Sequence, residues 1–465
     1  MTRRRKVDGA VFSAAEFASG TSGSWRGDLS AFPEAAGIST DTRSDGKNKV
    51  FFALSGENFD AHNFLNAAAA SGCCALCIRR SFAGEVPPLP VLEVDDVLKA
   101  YQQMSAMHRR RFPELTLAGI TGSVGKTSTK EMIRAIFTRY AGDPEAVLYT
   151  IGNTNNHIGV PQNLLRLTSK HRFAVIEMGT SSPGEILPLS MISAPTAAAV
   201  NTVAACHLEK LLSLDGVAQE KSAVFAGVPE NGIVAIGRGV HGEAILRQAA
   251  GARRILTFGN DPESCDVAAH FEQGTLDSGA FTMTFFNKRS YRIEWHLAGE
   301  YQALNAACAA AVALACNIPE ADIAAGLVDT ELPGMRMKRT TVAGVNYIND
   351  AYNANPASMR ALIMLLKSGA KPEELILCLG GMRELGGNCR AEHETLLELV
   401  HRELPGVRII TVGKEFAGIP GNGSCFPESS AAAEFLRQLA RPGDTVVVKG
   451  SRGNCMELIL PEDAR

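Results

Sequence analysis

The chain has 465 residues, room for about three domains at roughly 150 residues each, so a peptide or a single small module is excluded. Its 46 Lys+Arg against 49 Asp+Glu leave a net charge of −3, with 20% charged and 46% hydrophobic residues; no basic excess points to nucleic acid. The longest apolar run, Ala306 to Cys316, is shorter than the ~20 residues that cross a bilayer.

The first residues, Met1 to Lys6, are basic, but no apolar stretch follows them, so a secretory signal is not expected and the protein is expected to stay in the cytoplasm. Short apolar runs from Phe51 to Val94 alternate with turn residues and predict a small α/β domain. Within it, Cys74 and Cys77 match C-x-x-C, yet no second pair accompanies them, and the eleven scattered cysteines read as buried free thiols. A helix over Val97–Arg109 leads into a strand over Leu115–Thr121 and then a helix over Lys126–Tyr140. The latter places Met132, Ile133, Ile136, Phe137 and Tyr140 on one face. Strands are predicted at Phe173–Glu177, Ala197–Val203 and Ile233–Ile236, and a hairpin turns at Asn287-Lys288-Arg289, with Phe281, Met283 and Phe285 paired to Tyr291, Ile293 and Trp295. An Ala-rich helix over Gln302–Ala315 closes this unit, and Leu332-Pro333-Gly334 marks a boundary. Strands at Val345–Ile348, Leu375–Leu379, Val407–Val412 and Thr445–Val448 then alternate with helices at Ala357–Leu366, Leu396–Val400 and Ala431–Leu439. This is a second parallel-sheet pattern, without the G-x-G-x-x-G of a dinucleotide site.

The strongest chemical signal is Thr121-Gly122-Ser123-Val124-Gly125-Lys126-Thr127-Ser128 between a strand and a helix. Glycines let backbone N–H groups wrap phosphate oxygens, the helix N-terminus adds positive potential, Lys126 reaches the β/γ-phosphates and Thr127 can ligate Mg²⁺. Ile120 stands where the strict G-x-x-x-x-G-K-S/T spacing has its first glycine. Glu177, at the end of its strand, is the candidate carboxylate for the metal, and His207 could add an imidazole. Lys221, placed at the start of a helix, reads as an ordinary surface lysine. Asn349 to Pro356 gathers polar and turn residues at a strand's C-terminal end, where open α/β sheets bind ligands.

Taken together, the ordered motifs resemble the Mur ligases along nearly the whole chain. They are Ser39 to Arg43, Gly56 to His62, the phosphate loop, Asn153 to Pro161, Glu177-Met178-Gly179, His207-Leu208-Glu209, Gly216 to Lys221, Asp350 to Met359 and Lys449 to Arg452. Tyr352-Asn353-Ala354-Asn355-Pro356 and Leu379 to Gly386 are similar to the branch that adds D-alanyl-D-alanine, which often has Asp where Gly381 stands and Gly where Ala61 stands.

The resemblance implies an α/β, three-domain architecture: residues 1–95 for the UDP end of the substrate, 96–330 as a central P-loop ATPase and 331–465 as a Rossmann-like domain. It implies an ATP-dependent ligase joining D-alanyl-D-alanine to UDP-N-acetylmuramoyl-tripeptide, an acyl phosphate being the intermediate. Ser39, Thr42, Arg43, Asp60 and His62 would lie near the uridine diphosphate, and Asn156, Tyr352, Asn353 and Asn355 would contact substrate. Gly122 to Ser128, Asn305, Arg336 and Asp350 would bind ATP. Lys126, Lys221, His207 and Glu177 would be catalytic. Thr127, Glu177, His207 and a carbamylated Lys221 would hold two Mg²⁺ ions. The G-x-H-N-x-x-N pattern of the family reads Gly299-Glu300-Tyr301-Gln302-Ala303-Leu304-Asn305, so Tyr301 and Gln302 replace its His and Asn. A monomer is expected, with domain closure on ATP. The same residues leave open an amino-acid-adding relative, a folylpolyglutamate synthase-like ligase, a phosphotransferase, or a P-loop module without ligase chemistry.

Overall fold

The computed structural model describes residues 9–56 and 59–465. The basic residues Met1 to Lys6, and Glu57 and Asn58 of the Gly56–His62 segment, lie outside the described residues. Three α/β layers follow one another along the chain, each around its own sheet.

The first sheet has the strand order Ser24–Arg26, Val91–Val94, Ala75–Arg79, Lys49–Phe52, Gly37–Ser39. All pairs are parallel except the edge strand Ser24–Arg26. Phe12, Phe17, Val50, Phe52 and Leu92 pack here with Tyr101 and Met104 of the helix Val97–Arg110. Cys77 is buried in this layer, and Cys74 gives its S–H to the Lys49 carbonyl at 3.3 Å. Burial pushes the Cys74 thiol up to about 11 and that of Cys77 higher still, which suits inert core thiols. All eleven cysteines are free.

The second sheet has nine strands. Thr116–Thr121 lies between Ala197–Val200 and Phe173–Glu177, parallel to both. The chain crosses from one side of this strand to the other, which opens a crevice at the strands' C-terminal ends. The helix Lys126–Ala141 buries Met132, Ile133, Ile136 and Phe137 completely. Tyr140, expected on that face, is instead 45% exposed. Against this helix pack Glu300–Ala315 and Glu320–Val328. The backbone of Gly326 comes so close that a Cβ there would sit 2.5 Å from Ile136 Cα; only glycine allows the approach.

Three features differ from the sequence reading. The strand expected over Ala197–Val203 ends at Val200, because Asn201 and Thr202 leave the ladder to brace the phosphate loop. The hairpin turn falls at Phe286-Asn287-Lys288, with Phe286 and Asn287 both at φ +51, and Arg289 already begins the returning strand. Strands Arg254–Gly259 and Val267–Gly274 were not anticipated; their apolar residues are interrupted by polar ones on the exposed face.

The third sheet runs Lys338–Val342, Val345–Asp350, Thr445–Lys449, Leu375–Gly380, Arg408–Val412, Ser424–Phe426. It is parallel apart from its first, antiparallel edge. Both edge strands lack an apolar alternation and escaped the sequence pattern. Among the described residues no helix is long and apolar enough to cross a membrane.

Candidate active site

A cleft of about 690 Å³ opens at the C-terminal ends of the central strands, and residues of the second and third layers line it together. Its floor is the phosphate loop. Gly122 and Gly125 carry φ +158 and +80, and a Cβ on Gly125 would lie 2.2 Å from Asn305 Oδ1 and 2.4 Å from Asn201 Nδ2. Asn201 is the brace: its amide donates to Asn305 Oδ1 at 2.8 Å, Thr129 Oγ1 at 3.1 Å and the Val124 carbonyl at 3.2 Å. Ser123 and Val124 give their N–H groups to Thr202, and Ser123 Oγ bonds the Ala204 carbonyl. The first amides of the helix, from Lys126 onward, have no carbonyl partner within the helix and point their partial positive charge into the cleft. The Lys126 ammonium curls over the loop onto the Gly122 carbonyl at 2.8 Å, one side-chain rotation from an anion seated on those amides.

Thr127 and Glu177 meet as expected. Thr127 donates its hydroxyl to Glu177 Oε2 at 2.9 Å, and Asn155 donates its amide to Glu177 Oε1 at 2.7 Å. Glu177 is 2% exposed. Arg336, from the third layer, donates to Thr127 Oγ1 at 2.9 Å and stacks its guanidinium 3.8 Å over the Tyr352 ring. Among the described residues no three His, Cys, Asp or Glu side chains converge as a ready-made metal cage. The donors are a hydroxyl, a carboxylate and an imidazole beside a phosphate seat, which fits Mg²⁺, a hard cation that takes one or two carboxylates plus substrate phosphates.

His207 lines the cleft and sets its Nδ1 2.6 Å from Glu384 Oε2 of the third layer. Lys221 departs from its reading as a surface lysine at a helix start. It sits in the last turn of Leu214–Ser222 and is 1% exposed. Burial, with the Lys126 charge nearby, pulls its ammonium down to about 8. Its neighbour Glu220 offers little relief, since both carboxylate oxygens accept backbone N–H groups, from Gly184 and Ile186. A substantial neutral fraction of a buried amine is what attack on CO₂ requires.

Other predicted residues are placed variously. Asn305 lines the cleft but has both ends of its amide engaged, by Asn201 and by Gln302. Asp350 pairs with Lys449 at 2.6 Å, and Lys449 also donates to the Asn353 carbonyl. Asn355 caps the helix Pro356–Gly369, accepting from Ser358 N at 2.8 Å, and Asn156 accepts from Ile158 and Gly159 N–H. Tyr352 and Asn353 line the cleft. Ser39, Thr42, Arg43, Asp60 and His62 do not; they belong to the first layer.

There Arg43 forms a two-pronged bond to Asp41, whose carboxyl that guanidinium holds down at about 2. Ser39 is bonded to the Asp41 carbonyl. Burial works to raise the Asp60 carboxyl, but the His62 N–H, the Ser55 hydroxyl and the His62 ring together hold it at about 2. Buried His62 spends both ring nitrogens, Nδ1 on Asp60 and Nε2 on the Arg79 N–H. Asn201, Asn155, Lys449 and Glu384 received no role from the sequence, although Asn155, Lys449 and Glu384 fall inside recognised motifs.

Comparison with known proteins identifies the family. Residues 120–313 match the Mur ligase middle domain and residues 335–452 match the Mur ligase, glutamate ligase domain. The UDP-N-acetylmuramoyl-tripeptide--D-alanyl-D-alanine ligase of Escherichia coli K12 is 35% identical over 430 residues, covering 91% of this chain and 92% of that one. The enzyme of that name from Bacillus subtilis 168 is 32% identical over 447 residues, covering 92% of each. A crystal structure of MurF from Acinetobacter baumannii superposes with a TM-score of 0.88 at 31% identity, covering 97% of this chain and 98% of that one. With a phosphate loop and a carboxylate facing a cleft that the third layer helps to line, and with relatives matched over almost its full length, the chain belongs to the Mur ligase family of ATP-dependent ligases that form carbon–nitrogen bonds.

Proposed function

We infer that this chain joins D-alanyl-D-alanine to UDP-N-acetylmuramoyl-tripeptide at the expense of ATP, a step of peptidoglycan synthesis. The observation that carries it is the meeting of Thr127, Glu177 and Arg336 over the phosphate loop, in a chain whose full-length relatives carry that reaction in their names. The tripeptide carboxylate attacks the γ-phosphorus of ATP, its oxygen bonding to phosphorus as the bond to ADP breaks. The dipeptide amine then adds to the acyl phosphate carbonyl, loses a proton and expels phosphate.

Two anions must meet in the first step, and the protein's part is to neutralise and align them. Lys126 and the amides of the loop hold the transferring phosphoryl group, and Arg336 brings a second cation from the third layer. Mg²⁺ supplies Lewis-acid neutralisation of the phosphates; Thr127, Glu177, His207 and Lys221 would hold it, as two ions, with Lys221 carbamylated. Carbamylation turns a buried cation, unfavourable beside Lys126, into an anion suited to a divalent metal. Asp350 and Asn305 are assigned to ATP, and Tyr352, Asn353, Asn355 and Asn156 to substrate on the far wall. Ser39, Thr42, Arg43, Asp60 and His62 are assigned to the uridine diphosphate end, His62 and Asp60 acting by shaping the loop. Residues 1–95, 96–330 and 331–465 are assigned as the UDP-substrate, P-loop ATPase and Rossmann-like domains. A monomer in the cytoplasm is the assigned working form, consistent with one chain lining the cleft from two layers.

The test is phosphate release with Mg-ATP, the UDP-linked tripeptide and D-alanyl-D-alanine, each omitted in turn, with the product weighed. Release that needs all three and yields the pentapeptide supports the reading. Release with a single amino acid in place of the dipeptide would move the chain to another branch of the family.

A further inference from the structure

His207 and Glu384 come from different layers and meet where those layers join. His207 precedes the short helix Leu208–Leu211 of the central layer, and Glu384 lies in the loop after the strand Leu375–Gly380 of the third. Both have positive φ, +53 and +65, a conformation unfavourable for a non-glycine residue that persists where surroundings hold it. A second contact joins the same segments: Gly386, at φ +57, lies against Glu209, where a Cβ would meet Glu209 Cγ at 3.4 Å. The 2.6 Å between His207 Nδ1 and Glu384 Oε2 is a hydrogen-bond distance, while the approach is off-line enough that Nδ1 lacks a well-directed partner. The 55% exposure of the Glu384 side chain leaves its carboxylate free of packing that would hold it in this orientation.

An imidazole that ligates a cation through one nitrogen must have the other nitrogen protonated and held, and a carboxylate is a common holder. We propose that Glu384 is a positioning residue: it takes the Nδ1–H of His207, leaves Nε2 bare for the divalent cation, and so makes cation affinity depend on docking of the third layer. The proposal rests on the reading of His207 as a cation ligand. Among the described residues no carboxylate of the central layer pairs with His207; Glu384 comes from the third.

The experiment is titration of the full-length protein, with ADP present, by Mn²⁺ followed by electron paramagnetic resonance. Glu384→Ala should weaken Mn²⁺ binding about 10- to 100-fold. Glu384→Gln, whose amide oxygen still accepts Nδ1–H, should recover it to within a few-fold. Glu384→Ala added to His207→Ala should weaken binding no further than His207→Ala alone. Since the Glu384 side chain is 55% exposed, the variants are expected to fold, and an unchanged thermal midpoint checks this. Unchanged binding in Glu384→Ala, with weakened binding in His207→Ala, would overturn the proposal and spare the ligand reading. Unchanged binding in His207→Ala would overturn both. Equal loss in the Ala and Gln variants would mean that charge alone acts and would overturn the tautomer role.

Discussion

The two junctions between layers are built from different interactions. The first runs along the helix Val97–Arg110, which puts Tyr101 and Met104 into the core of the first layer while its other side grips the second. His108 Nε2 bonds the Leu167 carbonyl at 2.9 Å, and Arg109 donates to the carbonyls of Phe112, Ser193 and Ala194, closing the end of the helix Ile186–Ser193. The second junction is mixed: Leu276 and Ala298 of the second layer are buried in the third layer's core, while around the 690 Å³ cleft it is polar side chain to polar side chain, Arg336 on Thr127 and His207 near Glu384. A buried cation on backbone carbonyls has no replacement partner, whereas polar side chains facing a cleft can exchange one another for a ligand. The first junction is therefore expected to behave as a fixed joint, and the second as the one that closes when ATP binds.

The largest expected effect separates chemistry from architecture at the second junction. Lys126→Ala should lower kcat by about a thousandfold or more, the range for losing a charge that stabilises the transferring group, and should leave the thermal midpoint in place. Lys126 bonds only loop carbonyls, Gly122 at 2.8 Å and Ser123 at 3.5 Å, so folding does not depend on it. Residual kcat within tenfold of the parent would remove Lys126 from its role.

At the fixed joint the order reverses, and stability should suffer while the chemistry survives. Arg109 is 7% exposed, and Arg109→Ala leaves three carbonyls short of a charged donor, a loss of about 3 kcal/mol. Denaturant unfolding should show an earlier transition, with KM for ATP unchanged. An unchanged midpoint would mean that the joint is held by its apolar contacts alone.

His108 gives the same joint a pH dependence. Burial between Phe12 and Phe112, with the Arg111 charge adding to it, pulls the imidazole down to about 4. The unfolded chain, near 6.5, therefore binds a proton that the folded chain refuses. Stability contributed by this group is complete above about 6.5 and falls as pH drops toward 4, by about 2 kcal/mol between pH 7 and pH 5. His108→Phe should flatten that part of the profile; an equally steep loss in the variant would assign the dependence to other groups.

How much of this was legible in the sequence follows the same division. Thr127, Glu177 and Lys126 were readable because a strand, a glycine turn and a helix are local, and short-range pattern specifies them. The burial of Lys221 was not, because nothing within a helix of nine residues says which layer covers it. Asn201 and Glu384 were missed for a related reason: each acts on a residue at least 70 positions away, Asn201 on Thr129 and Glu384 on His207. His62 and Asn355 show the converse. Their motifs were recognised, yet their side chains serve the local backbone, as an inner hydrogen-bonding hub and a helix cap. The strands beside the phosphate loop and the inner strands of the third sheet were found from their apolar runs, whereas Arg254–Gly259 and Val267–Gly274, interior but half polar, and edges such as Lys338–Val342 were lost.

The smallest expected effect tests whether the movable junction stores strain. Leu212 ends the short helix that follows His207, at φ +66 and ψ −40, outside the usual left-handed basin, and it is 83% exposed. Ala194 at the first joint also has a positive φ, but its φ +43 and ψ +66 form an ordinary helix stop. Leu212→Gly removes a clash of roughly 1–2 kcal/mol and, being so exposed, forfeits little packing; glycine's extra unfolded entropy returns about 0.5–1 kcal/mol of it. A net gain of about 0.5–1 kcal/mol should raise the thermal midpoint by about 1–3 °C. If the strain only reflects a tight turn, kcat and Mn²⁺ affinity should stay put as stability rises. If they fall instead, the strain is what holds His207 against Glu384, and the movable junction is tensioned as well as polar.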